Sequence, residues 1–179
     1  MDYENLTPPL YQEKQNFSLP WLKYLLIIPA VIVWYIFFQQ ILLGKPIGKN
    51  PAPDWVVLLI TLLIGVGLPL LFFRTQLELE VRSDGFYYRF LPFQRRFRRL
   101  LWSDIDRYEK ITFSALKDFG GYGVRSHKGE TVYIIQGNQG LRFYLRNGKR
   151  VVFSASRVDE LQQVINSVSG QQRPFRLAS

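Results

Sequence analysis

Residues 24–73 read YLLIIPAVIVWYIFFQQILLGKPIGKNPAPDWVVLLITLLIGVGLPLLFF. The stretch holds two runs without a charged residue, Tyr24 to Leu43 with 20 residues and Trp55 to Phe73 with 19. As a helix, each is long enough to cross a hydrocarbon core of about 30 Å at about 1.5 Å per residue. Burying two such helices in a globular protein would take a thicker layer than the rest of the chain supplies, so both are expected to span a membrane. The first run is longer than a signal-peptide core and no A-x-A-like site follows it, so it is expected to be retained.

Between the runs, GKPIGKNPAPD at 44–54 is short and rich in Gly and Pro, which makes the two helices antiparallel neighbours. Gly65 and Gly67 are expected to allow close backbone approach, and Pro29 and Pro69 to bend their helices. Gln39 and Gln40 stand near the end of their run, where the membrane interface accommodates them. The runs hold no carboxylate or histidine of the kind an ion pathway uses. Trp21, Tyr24 and Trp55 mark the run ends, suited to the headgroup zone. Lys45 and Lys49 lie in the loop, against Lys14, Lys23, Arg74, Arg82 and Arg89 on the other side. That asymmetry predicts both termini in the cytoplasm, and with the resemblance below it implies a bacterial inner membrane.

From Arg74 onward there are 19 Lys and Arg against 10 Asp and Glu, a surplus equal to the whole chain's +9. The water-soluble part is therefore the basic part, suited to an anionic surface. A bilayer next door makes acidic phospholipid the expected anion, and nucleic acid a poorer fit. The chain has no cysteine, which excludes disulfides, thiol catalysis, iron–sulfur clusters and cysteine-ligated zinc. The expected division is an N-terminal cytoplasmic segment 1–20, a hairpin 21–74 with helices near 22–43 and 55–73, a cytoplasmic domain 75–169 and a mobile tail 170–179.

Within that domain, Leu77, Leu79 and Val81 alternate with Gln76, Glu78 and Glu80, the period of a half-buried strand. Further strands are expected at 86–91, 97–101, 105–113, 121–126, 131–136, 140–146 and 149–154. Lys128-Gly129 and Asn147-Gly148 are hairpin dipeptides between the later ones. Val158, Leu161, Val164, Ile165 and Val168 then recur at helical spacing after Ser156, predicting one closing helix that turns Val158, Leu161 and Ile165 inward. The class is α+β: a two-helix transmembrane hairpin and seven to eight antiparallel strands capped by a C-terminal helix.

This order resembles the pleckstrin-homology superfold. The segments EVRSDGFYYRFLPF, LWSDI, GGYGVR and LRNGKRVVFSASRVDEL, with LLGKPIGKNPAPDW between the runs, are similar to uncharacterised bacterial membrane families that place a PH-like domain behind a helical hairpin. The resemblance implies a bent antiparallel barrel or sandwich plugged by the helix. It implies no activity and no cofactor, and PH-like folds bind lipids, peptides or protein surfaces.

The most pointed local feature is Arg95, Arg96, Phe97, Arg98 and Arg99. A strand rising from Arg74 and a second returning bring this connector back to the membrane side, where the arginines are candidates for acidic lipid. Phe97 either dips into the interface or belongs to the core. By the same alternation Phe113, Leu116 and Phe119 sit in a connector, packed beneath the domain or touching the membrane or a partner. Gly120-Gly121-Tyr122-Gly123 matches neither phosphate-loop pattern and is expected to open a strand. His127, the single histidine, stands in a turn, and no metal site is expected. Glu78 and Glu80 share a strand face and read as its polar side rather than an acid pair. No nucleophile–base pair stands out, so a non-enzymatic binding module is expected. It would be a scaffold or assembly factor holding a membrane-protein partner, or alternatively an anionic-lipid sensor working through residues 95–99.

Overall fold

The computed structural model describes residues 8–17 and 20–169. The chain forms two compact units, one of residues 18–74 and one joining the segment up to Phe17 with everything from Thr75 onward.

In the helical unit, α1 (Pro20–Phe37) ends in a π-helical turn, Phe38–Leu42. Helix α2 (Asp54–Ile60) widens into a π-helical stretch, Thr61–Gly67, and continues as α3 (Leu68–Arg74). Tyr24–Leu42 and Asp54–Arg74, 19 and 21 residues, are long and apolar enough to cross a membrane. Gln40 ties the helices at the loop, its Nε2 donating to the Ala52 carbonyl at 2.7 Å and to Asp54 Oδ1 at 2.8 Å. Of the two glycines expected to allow close approach, Gly65 does so: a Cβ there would lie 2.9 Å from Trp34 Nε1. Gly67 faces its own helix, nearest the Leu62 carbonyl.

The β unit holds nine strands among the described residues. They are β1 (Tyr11–Asn16), β2 (Gln76–Arg82), β3 (Gly85–Leu91), β4 (Arg98–Leu101), β5 (Ile105–Thr112), β6 (Gly123–His127), β7 (Glu130–Ile134), β8 (Gln139–Leu145) and β9 (Arg150–Ser154). A short helix, α4 (Ala115–Phe119), precedes β6, and α5 (Val158–Ser169) follows β9. The strands form a four-stranded sheet, β1-β2-β3-β4, and a five-stranded sheet, β5-β8-β9-β7-β6. Of the expected bent barrel or sandwich of seven to eight antiparallel strands, the closed barrel is not formed, and the strand number and the wholly antiparallel order are corrected. The two sheets do not close on one another, and β7 runs parallel to β9 because the β8–β9 hairpin folds in between β5 and β7.

The inner faces of the sheets share one core. Leu77, Leu79, Val81, Phe86 and Tyr88 meet Phe143 and Phe153, with ring centroids 4.9 Å apart for Phe86–Phe143 and 4.6 Å for Tyr88–Phe153. Helix α5 turns Val158, Leu161, Ile165 and Val168 into that core, the face its helical spacing predicts. Gly140 is the closest approach in the five-stranded sheet: a Cβ would stand 2.1 Å from the Phe153 carbonyl oxygen.

The N-terminal segment is a second correction. Residues 11–16 form no separate lead-in but an edge strand on β2, in register from Tyr11↔Val81 to Asn16↔Gln76. Tyr11, Glu13 and Gln15 point inward and are buried. The Tyr11 hydroxyl donates to Glu13 Oε2, and Glu13 Oε1 accepts the Ser156 N–H at 2.7 Å, ahead of α5. Gln15 Nε2 donates to the Ser154 carbonyl at 2.7 Å and its Oε1 accepts the Ser154 hydroxyl at 2.8 Å. Buried polar groups are tolerated when matched in this way. The tail 170–179 lies outside the described residues.

Glu78 and Glu80 are a third correction, for they do not face solvent. Glu80 is held by Arg82, with Nη2 2.7 Å from Oε2, and Glu78 by Arg89 at 2.8 Å. Arg82 also lies over the Tyr87 ring, 4.8 Å from its centroid. The long side chains of β2 and β3 thus roof their own sheet, and both glutamates are buried.

Candidate functional site

The strand register gives each arginine of the basic run a different role. Arg98 and Arg99 belong to β4, opposite Tyr88 and Tyr87. Arg99 reaches Asp84 in the β2–β3 turn, its Nη1 3.1 Å from Oδ2. Phe97 is half-buried outside both core clusters, with the Arg89 guanidinium 4.3 Å over its ring. Arg95 and Arg96 are exposed and carry no side-chain partner among the described residues. The connector is therefore 92–97, and its unengaged charge is Arg95 and Arg96.

This connector leaves β3 at Leu91, the register partner of Gln76, which in turn pairs with Asn16. It thus shares one end of the four-stranded sheet with the two residues that bracket the helical unit in sequence. The Gln94 N–H donates to the Phe90 carbonyl at 2.7 Å and closes the turn. That turn turns out Phe93, 69% exposed and stacked on Phe90 at 6.2 Å. Phe93 forms one wall of an open cleft of about 550 Å³ whose other walls include Phe17, Thr75, Tyr122 and Val124. Phe17 and Tyr122 meet edge to face at 6.4 Å, and Arg125 stands at the rim with its Nε donating to the Tyr122 carbonyl at 3.1 Å. Gln94 Oε1, also in the cleft wall, is buried without a hydrogen-bond partner among the described residues.

Of the second candidate group, Phe113 and Phe119 are corrected as contact residues. Both are buried and pack on Val132, Ile134 and Val152, on the side of the five-stranded sheet away from the main core. Leu116 alone of the three is exposed, at 60%. Gly120, at φ +72°, takes the left-handed position that ends α4, so the glycine run terminates a helix before it opens a strand. His127 closes β6 and sets its ring edge-on to Phe119 at 6.1 Å. Phe93, Gln94, Val124 and Arg125 were not singled out from the sequence, and Tyr122 only as part of the glycine run. The signal available was the apolar–basic word PFQRRF at 92–97, in which the first Phe is the exposed one.

The cleft offers shape, aromatic surface and positive charge. Burial raises the phenol pKa values of Tyr11 and Tyr88, aided by Glu13 and Tyr133 respectively, and pushes Tyr108 up to about 12. These phenols therefore stay protonated as donors at neutral pH. Among the described residues no three His, Asp or Glu side chains come together as a metal site.

A protein-family model matches residues 6–171, from before β1 to beyond α5. The chain belongs to a family of unknown function (DUF6141). The match takes in β1, the helical unit it precedes, both sheets and α5. No curated protein and no solved structure matches the chain.

Proposed function

We propose that the chain is a membrane-anchored, non-enzymatic binding module whose β unit engages acidic phospholipid through the 92–97 connector and the Phe93 cleft. The observation that carries the reading is a coincidence of place. Two arginines without a side-chain partner among the described residues and an exposed phenylalanine stand at the sheet end where Asn16 pairs with Gln76, and the apolar helices occupy the chain between those residues. An aromatic ring beside arginines suits the headgroup zone, where the ring enters the interface and the cations meet phosphate. Since β1 and β2 share a sheet, the chain after the helical segment rejoins the strand that precedes it, in keeping with two crossings. The Lys and Arg asymmetry favours the cytoplasmic side of a bacterial inner membrane.

A scaffold for a membrane-protein partner calls for a contiguous apolar patch. Among the described residues of the β unit the exposed large apolar ones are Leu10, Phe93, Leu116 and Val124, and two of these four line the cleft. Lipid is therefore the better-supported ligand. Two sheets with a C-terminal helix support a distant likeness to the pleckstrin-homology plan, from which the parallel β7–β9 pair departs. Hydrogen exchange of the full chain in nanodiscs tests the function: protection of 92–97 and 122–125 should rise with acidic lipid content and fall with salt. Protection indifferent to lipid charge refutes it.

A further inference from the structure

A second cleft, of about 570 Å³, lies on the outer side of the five-stranded sheet, and neither the lipid reading nor the family match assigns it a role. Its floor is apolar, from Ile111, Phe113 and Phe119, and its walls are charged. Glu130 is buried there, with Arg142 Nε at 3.3 Å and Arg150 Nη1 at 3.2 Å from its Oε1. Arg142 Nη1 also reaches Glu109 at 2.8 Å, while its Nε, although close to Glu130, makes no hydrogen bond. The two arginines thus neutralise two carboxylates and keep donor capacity in reserve. Lys117, at one wall, and Lys128, at another, have no side-chain partner among the described residues. Asp118 is engaged with the Ser114 N–H at 2.7 Å. The lining holds Lys117, Lys128, Arg142 and Arg150 against Asp118 and Glu130, and with Glu109, paired to Arg142 from behind the lining, the cluster keeps a net charge of +1.

The backbone adds an independent observation. Lys128 sits at φ +46°, the single non-glycine residue with positive φ among those described, followed by Gly129 at +78°. A turn with two positive φ values favours Asn, Asp or Gly at its first position, so Lys there is disfavoured locally. Its carbonyl accepts Arg150 Nη2 at 2.8 Å, which fixes the turn against the cleft. Lys128 thus adds a cationic residue to the cleft lining at a backbone position that asparagine would occupy with less strain.

We propose that this cleft binds a phosphate dianion, carried by a soluble phosphorylated small molecule, with Lys117 and Lys128 as the charged clamps and Arg142 and Arg150 as the fixed base. The test uses the full chain in a neutral detergent, titrated calorimetrically with inorganic pyrophosphate at constant ionic strength. Saturable one-to-one binding is expected, weakened at least tenfold by Lys117→Gln or Lys128→Asn, the loss of one charge-assisted contact. Arg95→Gln/Arg96→Gln should bind pyrophosphate as the parent does. Lys128→Asn keeps the turn and should not lower the ligand-free Tm, so its effect is separable from misfolding. A phosphate carried by lipid gives a different pattern: binding in nanodiscs with phosphatidic acid, still lost in Lys128→Asn, and none to pyrophosphate. That pattern would overturn the soluble source. Absence of saturable binding to either probe, or equal binding by the lysine variants, overturns the site itself.

Discussion

Trp34 donates its indole N–H to the carbonyl of Gly65 at 3.3 Å, across the two helices of the hairpin. In a regular α-helix the residue four positions on would serve that carbonyl, but position 69 is proline and has no N–H to give. The helix widens here, with the Leu68 N–H donating to Leu63, and the partner helix supplies a donor that the proline withholds.

Trp34→Phe keeps an aromatic side chain but deletes the donor and part of the ring, and should destabilise the hairpin by at least about 1 kcal/mol, the scale of interhelical hydrogen bonds in lipid. Gly65→Ala should cost more, since its methyl group would press on Trp34 Nε1 at 2.9 Å. Thermal unfolding of the full chain in detergent, with Gly67→Ala for comparison, reads both. Equal effects of the two alanine variants would contradict the packing described.

The edge strand gives a second expectation. A shortened chain in which residues 18–74 are replaced by a four-residue turn containing Asn-Gly should be soluble and unfold cooperatively, because Asn16 and Gln76 are already register partners. The fragment 75–179, lacking β1, exposes the edge of β2 and leaves Ser154 without Gln15, so it should be markedly less stable. Denaturant midpoints of the two compare directly, and equal midpoints would deny β1 its structural part.

For the lipid site, each arginine near an anionic surface contributes about 1 kcal/mol, so Arg95→Gln/Arg96→Gln should lose about 2 kcal/mol, roughly thirtyfold in affinity. The shortened soluble chain and vesicles of graded acidic content provide the measurement. Phe93→Ala should weaken binding further and with less salt dependence, because its contribution is apolar. Arg99→Gln should do little to binding, its guanidinium being engaged by Asp84.

Glu109 yields a pH dependence. Burial alone would raise its pKa, but hydrogen bonds from Arg142 and Tyr144 and the charges of Arg142 and Arg107 outweigh it and hold the carboxyl below its ordinary 4.5. A carboxyl with a lowered folded-state pKa contributes stability that is present above the unfolded value and is lost as pH falls through the folded one. The stability gap between parent and Glu109→Gln should therefore be constant near neutrality and shrink below about pH 4.5. Urea midpoints of the shortened chain at several pH values measure it, and a gap that widens in acid would reverse the assignment.

The strands from β2 to β9 and helix α5 were legible because apolar residues alternate along them and turn dipeptides separate them. Strand β1 was not, since its inward residues Tyr11, Glu13 and Gln15 are as polar as its outward ones and their partners Ser154 and Ser156 lie at the other end of the chain. The pattern of β2 was read correctly and its environment was not: Glu78 and Glu80 alternate as an exposed face does, yet arginines of β2 and β3 cover them. At the candidate site the charge of 95–99 was visible, but register with Tyr87 and Tyr88 decided which arginines remain unengaged. Phe113 and Phe119 were read as loop residues because the outer apolar patch of Val132, Ile134 and Val152 is assembled from two strands that become neighbours only through the parallel β7–β9 pair.

The pairing of Asn16 with Gln76 also bears on biosynthesis. Strand β1 leaves the ribosome first and finds its partner only after the whole helical segment has followed. On the proposed topology the sheet cannot close in a chain with one span inserted, since a single crossing would put β1 and β2 on opposite faces of the bilayer. A half-inserted chain would be left with Glu13 and Gln15 unmatched and a raw β2 edge, the kind of surface that proteases and chaperones act on. On that topology, completion of this one sheet distinguishes a doubly crossing chain from a singly crossing one.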